Sequence, residues 1–540
     1  MKKRIIILLV LIVHLTNGLA AGKSVLSLFT DRDVYVSGET LLAKIYLPSD
    51  NLSRIVYLDM VNEQGIRISG VSLEIKKNQA DGYLQLPDSL SSGSYLVRAY
   101  LKHTAHQLKV IREIKISNRF DGLEKMNQMN RVECSSVVQT RNTAKIEIAN
   151  VSPVYSAGSQ IHADVEINRD LLDSIDGDLF VSIAQMDPSF ESVAFFEKSS
   201  SAESGLVEKK GIVISGTVLN RKTKKPTSGI TVYFVVPDSI PGFQYYKTQS
   251  DGRFYFMLDK YCGSVDAFVE CFREIPTEPL TIKLDELYAE SGSLPRYNKQ
   301  QITEELRNSI LRNVDAVTFQ KVFNQPKLRF HDVGKQAPDS YPYYGEVSCT
   351  VDPQLFVDLP DFTEVSRELL HGVKFRNYNN EPTMQVFNNP MRNYFDEMPL
   401  VLLDGIPIRD LNIIKGMGST DIDRVDICLS ERFYGNLRFP GVVAIYSTKK
   451  DYSRLTESDQ LIHLKFETVQ VPYSLEVSEN LDSNIPDLRQ VIYWNPTVTK
   501  NSKILVDCRA SSVIGLYKLV VRGRLIDGTL ISTEKQLEVK

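Results

Sequence analysis

Apolar residues fall at every second position in run after run of this sequence. In Ile161-His-Ala-Asp-Val-Glu-Ile167 they are Ile161, Ala163, Val165 and Ile167. In Tyr95-Leu-Val-Arg-Ala-Tyr-Leu101 one face carries Tyr95, Val97, Ala99 and Leu101. A period of two places alternate side chains on opposite faces, which is the pattern of a half-buried strand. Ile55-Val-Tyr-Leu-Asp-Met60 is more continuously apolar and reads as a buried strand. Gly65, Gly82 and Gly93 separate such runs, where turns need them. The 25 Tyr and 23 Phe against one Trp also favour strands. Helical spacing is confined to a few stretches, such as Ile302, Leu306, Ile310, Val314 and Val317. At 540 residues the chain exceeds one core. At about 100–200 residues per domain, three to five domains are expected. The expected fold class is mainly β, with β-sandwiches in tandem and one α+β domain.

The first 20 residues have a different logic. Lys2, Lys3 and Arg4 precede the apolar run Ile5 to Val13, and Gly18-Leu19-Ala20-Ala21 offers small residues. This reads as a secretory signal peptide over residues 1–20, cleaved after Ala20 or Ala21. A membrane-spanning helix needs about 20 apolar residues, and the run is shorter. The mature chain is expected to be exported, to lack a transmembrane segment, and to lie in the periplasm, at the outer membrane or on the cell surface. Formal charge is −4. Losing Lys2, Lys3 and Arg4 gives −4 − 3 = −7, and no long basic stretch is left for nucleic acid. Six cysteines occur, none in a CxxC pair, so no zinc site is expected. Cys262 and Cys271 are the close pair that could bridge neighbouring strands. Cys134, Cys349, Cys428 and Cys508 read as buried thiols.

Residues 22–118 form a first sandwich. Asp33-Val-Tyr-Val-Ser-Gly-Glu39 and Leu86-Pro87…Ser92-Gly93-Ser94-Tyr95 resemble a macroglobulin-type domain of the α2-macroglobulin family. Members of that family trap proteases through a thioester in a Cys-Gly-Glu-Gln segment. This sequence lacks that segment, so the resemblance implies a scaffold module of immunoglobulin-like shape. Residues 140–205 read as a second macroglobulin-like sandwich, with a linker from Lys198 to Lys210.

Residues 211–287 follow as a third sandwich. Ile212-Val-Ile-Ser-Gly-Thr-Val-Leu219, then Pro226, Ile230, Val232 and Phe234, then Ser250-Asp-Gly-Arg-Phe-Tyr-Phe256 resemble a carboxypeptidase regulatory-like domain. That implies a non-catalytic spacer or docking module. Residues 297–340 form a helical linker.

Residues 350–452 mix helix and strand. Asp361-Phe-Thr-Glu364 is a capping-box pattern, and Gly372 suits a helix end. Pro399-Leu-Val-Leu-Leu-Asp-Gly-Ile-Pro407, Asp421-Ile-Asp-Arg-Val-Asp-Ile427, Tyr434-Gly435 and Gly441-Val-Val-Ala-Ile-Tyr-Ser-Thr-Lys449 follow in order. This set is similar to the plug domain of TonB-dependent outer-membrane receptors. The glycine-rich stretch of that family is here Asn436-Leu-Arg-Phe-Pro440. Such receptors need a barrel of about 22 strands, each about 10 residues long. Only 88 residues follow Tyr452, so a plug-like unit without a barrel is expected. Residues 455–540 read as a last sandwich with Trp494 anchoring its core. The succession resembles exported Bacteroidetes multidomain proteins that join these three module types.

No catalytic set is legible. Gly-x-Ser-x-Gly, His-Glu-x-x-His and the phosphate loop are all absent. The histidines after the signal peptide are His103, His106, His162, His331, His371 and His463. His103-Thr-Ala-His106 has metal-compatible spacing but follows a strand without a nearby acid, so a solvated surface is the favoured reading. His162 falls on the polar face of its strand. Asp173-Ser-Ile-Asp-Gly-Asp178 lacks the ligand series of a calcium loop and reads as a turn. No catalytic, cofactor-binding or metal residue is assigned, and no cofactor is expected. The expected function is non-enzymatic cell-envelope binding or scaffolding. The partner would be an outer-membrane receptor, a transporter or a periplasmic protein, engaged through residues 350–452. The alternatives are a glycan-binding sandwich protein, for which numerous Tyr would suit sugar stacking, and an unrecognised hydrolase.

Overall fold

The computed structural model describes residues 26–540 apart from 103–107, 122–129, 133–140, 143–144, 188, 193, 199–206, 239–240, 260, 273–278, 291–294, 300, 324–327, 332–340, 379–380, 451, 456–457 and 476–485. The signal-peptide stretch 1–20, His103, His106 and Cys134 lie outside the described residues. The fold is mainly β, with tandem sandwiches, as the alternation predicts. No described helix is long and apolar enough to cross a membrane.

The chain forms two compact units. The first runs to Ile212 and also takes Tyr288–Val333 and Thr468–Lys540. It holds two sandwiches. In the first sandwich, Ser27–Thr30, Thr40–Tyr46 and Gln79–Gln85 make one sheet. Arg67–Glu74, Ile55–Val61, Gly93–Tyr100, Leu108–Ser117 and Ala194–Lys198 make the other, with Val34–Val36 alongside Leu108–Ser117. Their facing apolar residues, among them Leu41, Ile45, Leu58, Val97 and Ile114, form one core.

The second sandwich corrects the domain plan. Ile146–Ala149, Gln160–Ile167 and Lys503–Arg509 form one of its sheets. The other pairs Leu179–Gln185 with both Val491–Val498 and Gly515–Arg524, and the latter with Leu530–Val539. Ile161, Val165, Val181, Val506, Leu519 and Leu537 share one core. Residues 140–205 and 455–540 are therefore not two sandwiches. Each supplies strands that the other needs, because neither half has enough apolar faces to close a core alone. Ala194–Lys198, expected in the second sandwich, instead extends the first.

The helical stretch is Glu304–Val322, N-capped by Thr303, whose hydroxyl accepts from Leu306 N at 3.2 Å. Leu306 and Ile310 bury against Val34 and Phe190 of the same unit. Trp494 is buried against Leu42 and Phe180, with its ring edge-on to Phe180 at 4.7 Å. It therefore packs where the two sandwiches meet rather than inside one of them.

The second unit takes Val213–Leu287 and Gly334–Glu467. Its sandwich sets Arg253–Leu258, Ile212–Asn220 and Leu280–Leu284 against Gly242–Lys247, Thr231–Val236, Ser264–Phe272 and Leu461–Glu467. The Asp251-Gly252 turn lies as expected, with Asp251 Oδ1 accepting from Arg253 N at 3.0 Å. Gly252 has φ +72°, and a Cβ there would sit 2.8 Å from the Val218 carbonyl oxygen. Leu461–Glu467 joins this sandwich from far along the chain, a second correction to the 455–540 boundary.

The α+β domain of this unit has the sheet Cys349–Val351, Ile422–Cys428, Val442–Ser447, Leu400–Leu403, Ile406–Ile408. The helix Phe362–Glu368 packs on it, N-capped by Asp361, which accepts from Glu364 N at 3.0 Å. Phe362, Val365, Val401, Val425 and Ile445 meet in its core.

Cys262 and Cys271, the close pair that could bridge neighbouring strands, are both thiols, with no disulfide between them. Cys271 lies near the end of the strand Ser264–Phe272, and Cys262 precedes its start by two residues. The strand from Ser264 to Cys271 spans about 23 Å, so two further residues cannot return Cys262 to the Cα separation of about 7 Å that a disulfide needs. Cys271, Cys428 and Cys508 are buried thiols, and Cys349 is half-buried.

Candidate functional site

Three features of the second unit are open to chemistry or binding. One is a polar cleft of about 130 Å³ at the end of the α+β sheet. The Asp404-Gly405 turn brings Asp404 to it, and Asp404 accepts from Ser447 N at 2.7 Å and from Ser447 Oγ at 2.6 Å. Asp421, which also lines the cleft, pairs with Arg454 at 3.1 Å. The two carboxylates thus tie adjacent strand ends and loops together. Small-molecule pockets usually occupy about 300–1,000 Å³, so this cleft is undersized for a substrate. Its carboxylates serve internal donors.

The second feature is an aromatic seam that fixes the α+β domain to the sandwich of the same unit. The rings of Phe243 and Tyr343 stack at 4.1 Å and 9°. Tyr434 meets Phe243 edge-on at 5.5 Å, and Tyr245 accompanies it at 5.9 Å. Asn436 N donates to Tyr245 Oη at 2.9 Å. Tyr434-Gly435, a landmark of the sequence pattern, is therefore engaged by this chain's own sandwich. Glu270 lies on the same sandwich sheet. Burial pushes its carboxyl up to about 7, against an opposing pull from Arg409 of the α+β domain. Its Oε2 has no hydrogen-bond partner among the described residues.

The third feature is an exposed apolar tip, Leu355-Phe356-Val357, at 79%, 55% and 74% exposure. Its base is rigid. Asp352 caps the short turn Pro353–Leu355 by accepting from Gln354 N at 3.1 Å. Gln354 Nε2 donates to Ile422 O at 3.2 Å. Beyond the tip, Leu359 N donates to Ser419 Oγ at 2.9 Å, and Leu359 O accepts from Ser419 N at 3.0 Å. Asp352, Asp358 and Asp361 flank the tip in sequence, with no basic residue among residues 350–366. A run of three apolar residues anchored at both ends and left in water suits contact with a partner. Sequence reading passed over it because it has neither strand nor helix period. Its legible signal is three apolar residues bracketed by Asp and Pro.

Other residues singled out from sequence have structural partners. His162 is exposed and bonds Asp507 at 2.5 Å. His463 stacks on Phe268 at 4.5 Å and bonds Asp266 at 2.8 Å. In the turn after Arg169–Ser174, Asp176 pairs with the buried Arg524, and Asp178 pairs with Lys77 at 3.1 Å. Those two carboxylates serve different cations rather than one ion. No cluster of three or more His, Cys, Asp or Glu is placed to hold a metal among the described residues. Of the tyrosines, Tyr35, Tyr46, Tyr57, Tyr100, Tyr344 and Tyr517 are fully buried, whereas Tyr341 is exposed.

No family model matches the chain, and no curated protein matches it. Among solved structures, it is similar to Salmonella α-2-macroglobulin reacted with methylamine, at 10% identity and a TM-score of 0.22, covering 95% of this chain and 39% of that one. It is similar to native Escherichia coli α-2-macroglobulin at 8% identity and a TM-score of 0.23, covering 96% and 40%. A tetra-tandem repeat from a large adhesion protein aligns at 8% identity and a TM-score of 0.14, covering 95% and 98%. The chain spans about two fifths of the length of those macroglobulins. Likenesses at such TM-scores carry no argument about family or activity.

Proposed function

We propose that this chain is a non-enzymatic scaffold of the cell envelope, and that it docks on an envelope protein through the apolar tip of its α+β domain. The observation that carries the reading is the anchored, solvent-exposed Leu355-Phe356-Val357. Aromatic and aliphatic side chains on a rigid base lose little entropy on binding, which favours them as interface anchors. The flanking Asp352, Asp358 and Asp361 fit a partner whose apolar pocket is ringed by basic groups. The sequence pattern of residues 350–452, similar to a receptor plug, supports an outer-membrane or periplasmic partner. The signal-peptide pattern of residues 1–20 supports export. Macroglobulin-like and regulatory-like patterns support spacer roles for the sandwiches.

The test is cross-linking in intact cells with the natural chain and with Leu355→Asp, Phe356→Asp and Val357→Asp combined. The expected result is an envelope protein cross-linked to the natural chain and lost from the triple variant. The same protein cross-linked equally to both would sink the reading.

A further inference from the structure

The strand Lys503–Arg509 lies at the edge of its three-stranded sheet and pairs only with Gln160–Ile167 among the described residues. The ladder bonds reveal which of its backbone groups are already used. Ile167 N donates to Ser502 O at 2.9 Å, and Ala510 N donates to Ser159 O at 2.8 Å. Bonded positions alternate along an antiparallel pair, so Ile504, Val506 and Cys508 also face Gln160–Ile167. The N–H and C=O groups of Lys503, Leu505 and Asp507 point the other way, off the sheet edge. The side chains of these three residues form the exposed face of the strand, and Leu505 at its middle is 63% exposed. Lys503 and Asp507 each have one partner on the neighbouring strand, Asp164 at 2.9 Å and His162 at 2.5 Å, and both remain open to a second.

The segment Lys503-Ile-Leu-Val-Asp507 complements itself when reversed. Laid antiparallel on a second copy about a two-fold axis at Leu505, Leu505 meets Leu505. Lys503 then meets Asp507, and Ile504 meets Val506. Each outward-facing pair exchanges two N–H···O=C bonds. Both ionic cross-strand pairs join opposite charges, and Ile504 and Val506 continue the apolar layer across the junction. Exposed edges are normally blunted by proline or by charge that repels a neighbour. Val491–Val498, an edge of the sandwich's other sheet, carries Pro496. Lys503–Arg509 has no proline, and its charges attract their two-fold mates.

We propose that this strand is a self-association edge, occupied by the same strand of a second copy of this chain. The contact is isologous, so it closes as a dimer and does not propagate. The inference is independent of the docking tip, which lies in the other unit.

The test is sedimentation of the purified chain over a concentration series, with Lys503→Asp, with Asp507→Lys, and with the two variants mixed. Each single variant sets like charges against each other twice across the axis. The dimer should therefore weaken by about tenfold or more. In the mixture, the two carboxylates of the Lys503→Asp chain face the two ammonium groups of the Asp507→Lys chain, and heterodimers should form at natural strength. A thermal melt of each variant separates loss of pairing from loss of folding, and the mixture can recover only if both are folded. A natural chain that stays monomeric throughout would overturn the proposal. So would single variants that dimerise like the natural chain, or a mixture that does not recover.

Discussion

Tyr434 Oη donates to the carbonyl of Phe243 at 3.1 Å. With that bond, the hairpin Arg432–Tyr434 and Leu437–Phe439 of the α+β domain is pinned to the edge strand Gly242–Lys247 of the sandwich beside it. Gly435, next along, has φ +56°, and a Cβ there would lie 2.2 Å from Tyr245 Oη. Gly435→Ala should cost about 1–2 kcal/mol from the left-handed backbone alone, plus the displaced Tyr245 hydroxyl. Tyr434→Phe should cost about 1 kcal/mol. Chemical denaturation of the two variants measures both. Gly435→Ala without any loss would mean that the seam tolerates opening.

Glu270 makes the same unit pH-sensitive. Its folded value, about 7, stands above the ordinary 4.5. The folded state therefore holds a proton that the unfolded state has released. Stability is greatest below about pH 4.5 and falls as pH rises through 7. The loss is of order 1–3 kcal/mol. Glu270→Gln should flatten that slope, raising Tm at pH 8 and leaving it nearly unchanged at pH 4. A slope that survives the substitution would place its origin elsewhere.

Asp59 and Arg98 form a buried pair in the first sandwich, with Arg98 Nε and Nη2 donating to the two carboxylate oxygens at 2.7 and 2.6 Å. Tyr100 Oη adds a bond to Asp59 at 3.0 Å. Asp59→Ala leaves a guanidinium buried without its counter-charge, which should cost about 3–5 kcal/mol. Urea denaturation of the first unit would register it as a lower midpoint. A change under about 1 kcal/mol would show that water reaches Arg98.

The tip makes the opposite demand on stability. Leu355→Asp and Phe356→Asp alter exposed side chains and should shift stability by no more than about 0.5 kcal/mol. Matched melting curves are expected, so any loss of partner capture by these variants reads as loss of contact. A drop of several degrees in Tm would instead give the tip a structural task.

Element type was largely legible in the sequence, and element partnership was not. Gln160–Ile167 and Glu304–Val322 announce themselves, because their periods record which side chains face inward. The alternation in Ile161–Ile167 cannot reveal that its mate lies at 503–509, more than 300 residues on. Backbone ladder bonds are the same for every residue except proline, so a strand's pattern fixes its buried face and leaves its neighbour open. Cys262 and Cys271 stay apart for a related reason: the strand Ser264–Phe272 carries Cys271 away from Cys262, which sits before its start. The tip at Leu355–Val357 was missed because three exposed side chains in a short turn impose no period on a sequence.

The nesting of the second sandwich has a consequence for how the chain comes into being. Leu179–Gln185 leaves the ribosome long before the strands Val491–Val498 and Gly515–Arg524 that flank it. At about 5–20 residues per second, the roughly 350 residues between the first half and the final strand take about 20–70 s to make. During that interval a half-built apolar sheet has no native neighbour, while the second unit, encoded wholly inside the gap, has time to fold before that sheet is completed. The second sandwich is thus the last part of the fold to close, and the strand Leu530–Val539 acts as its clasp. A chain cut just before that strand would reach release with its core still open, and a holdase would have to cover it throughout.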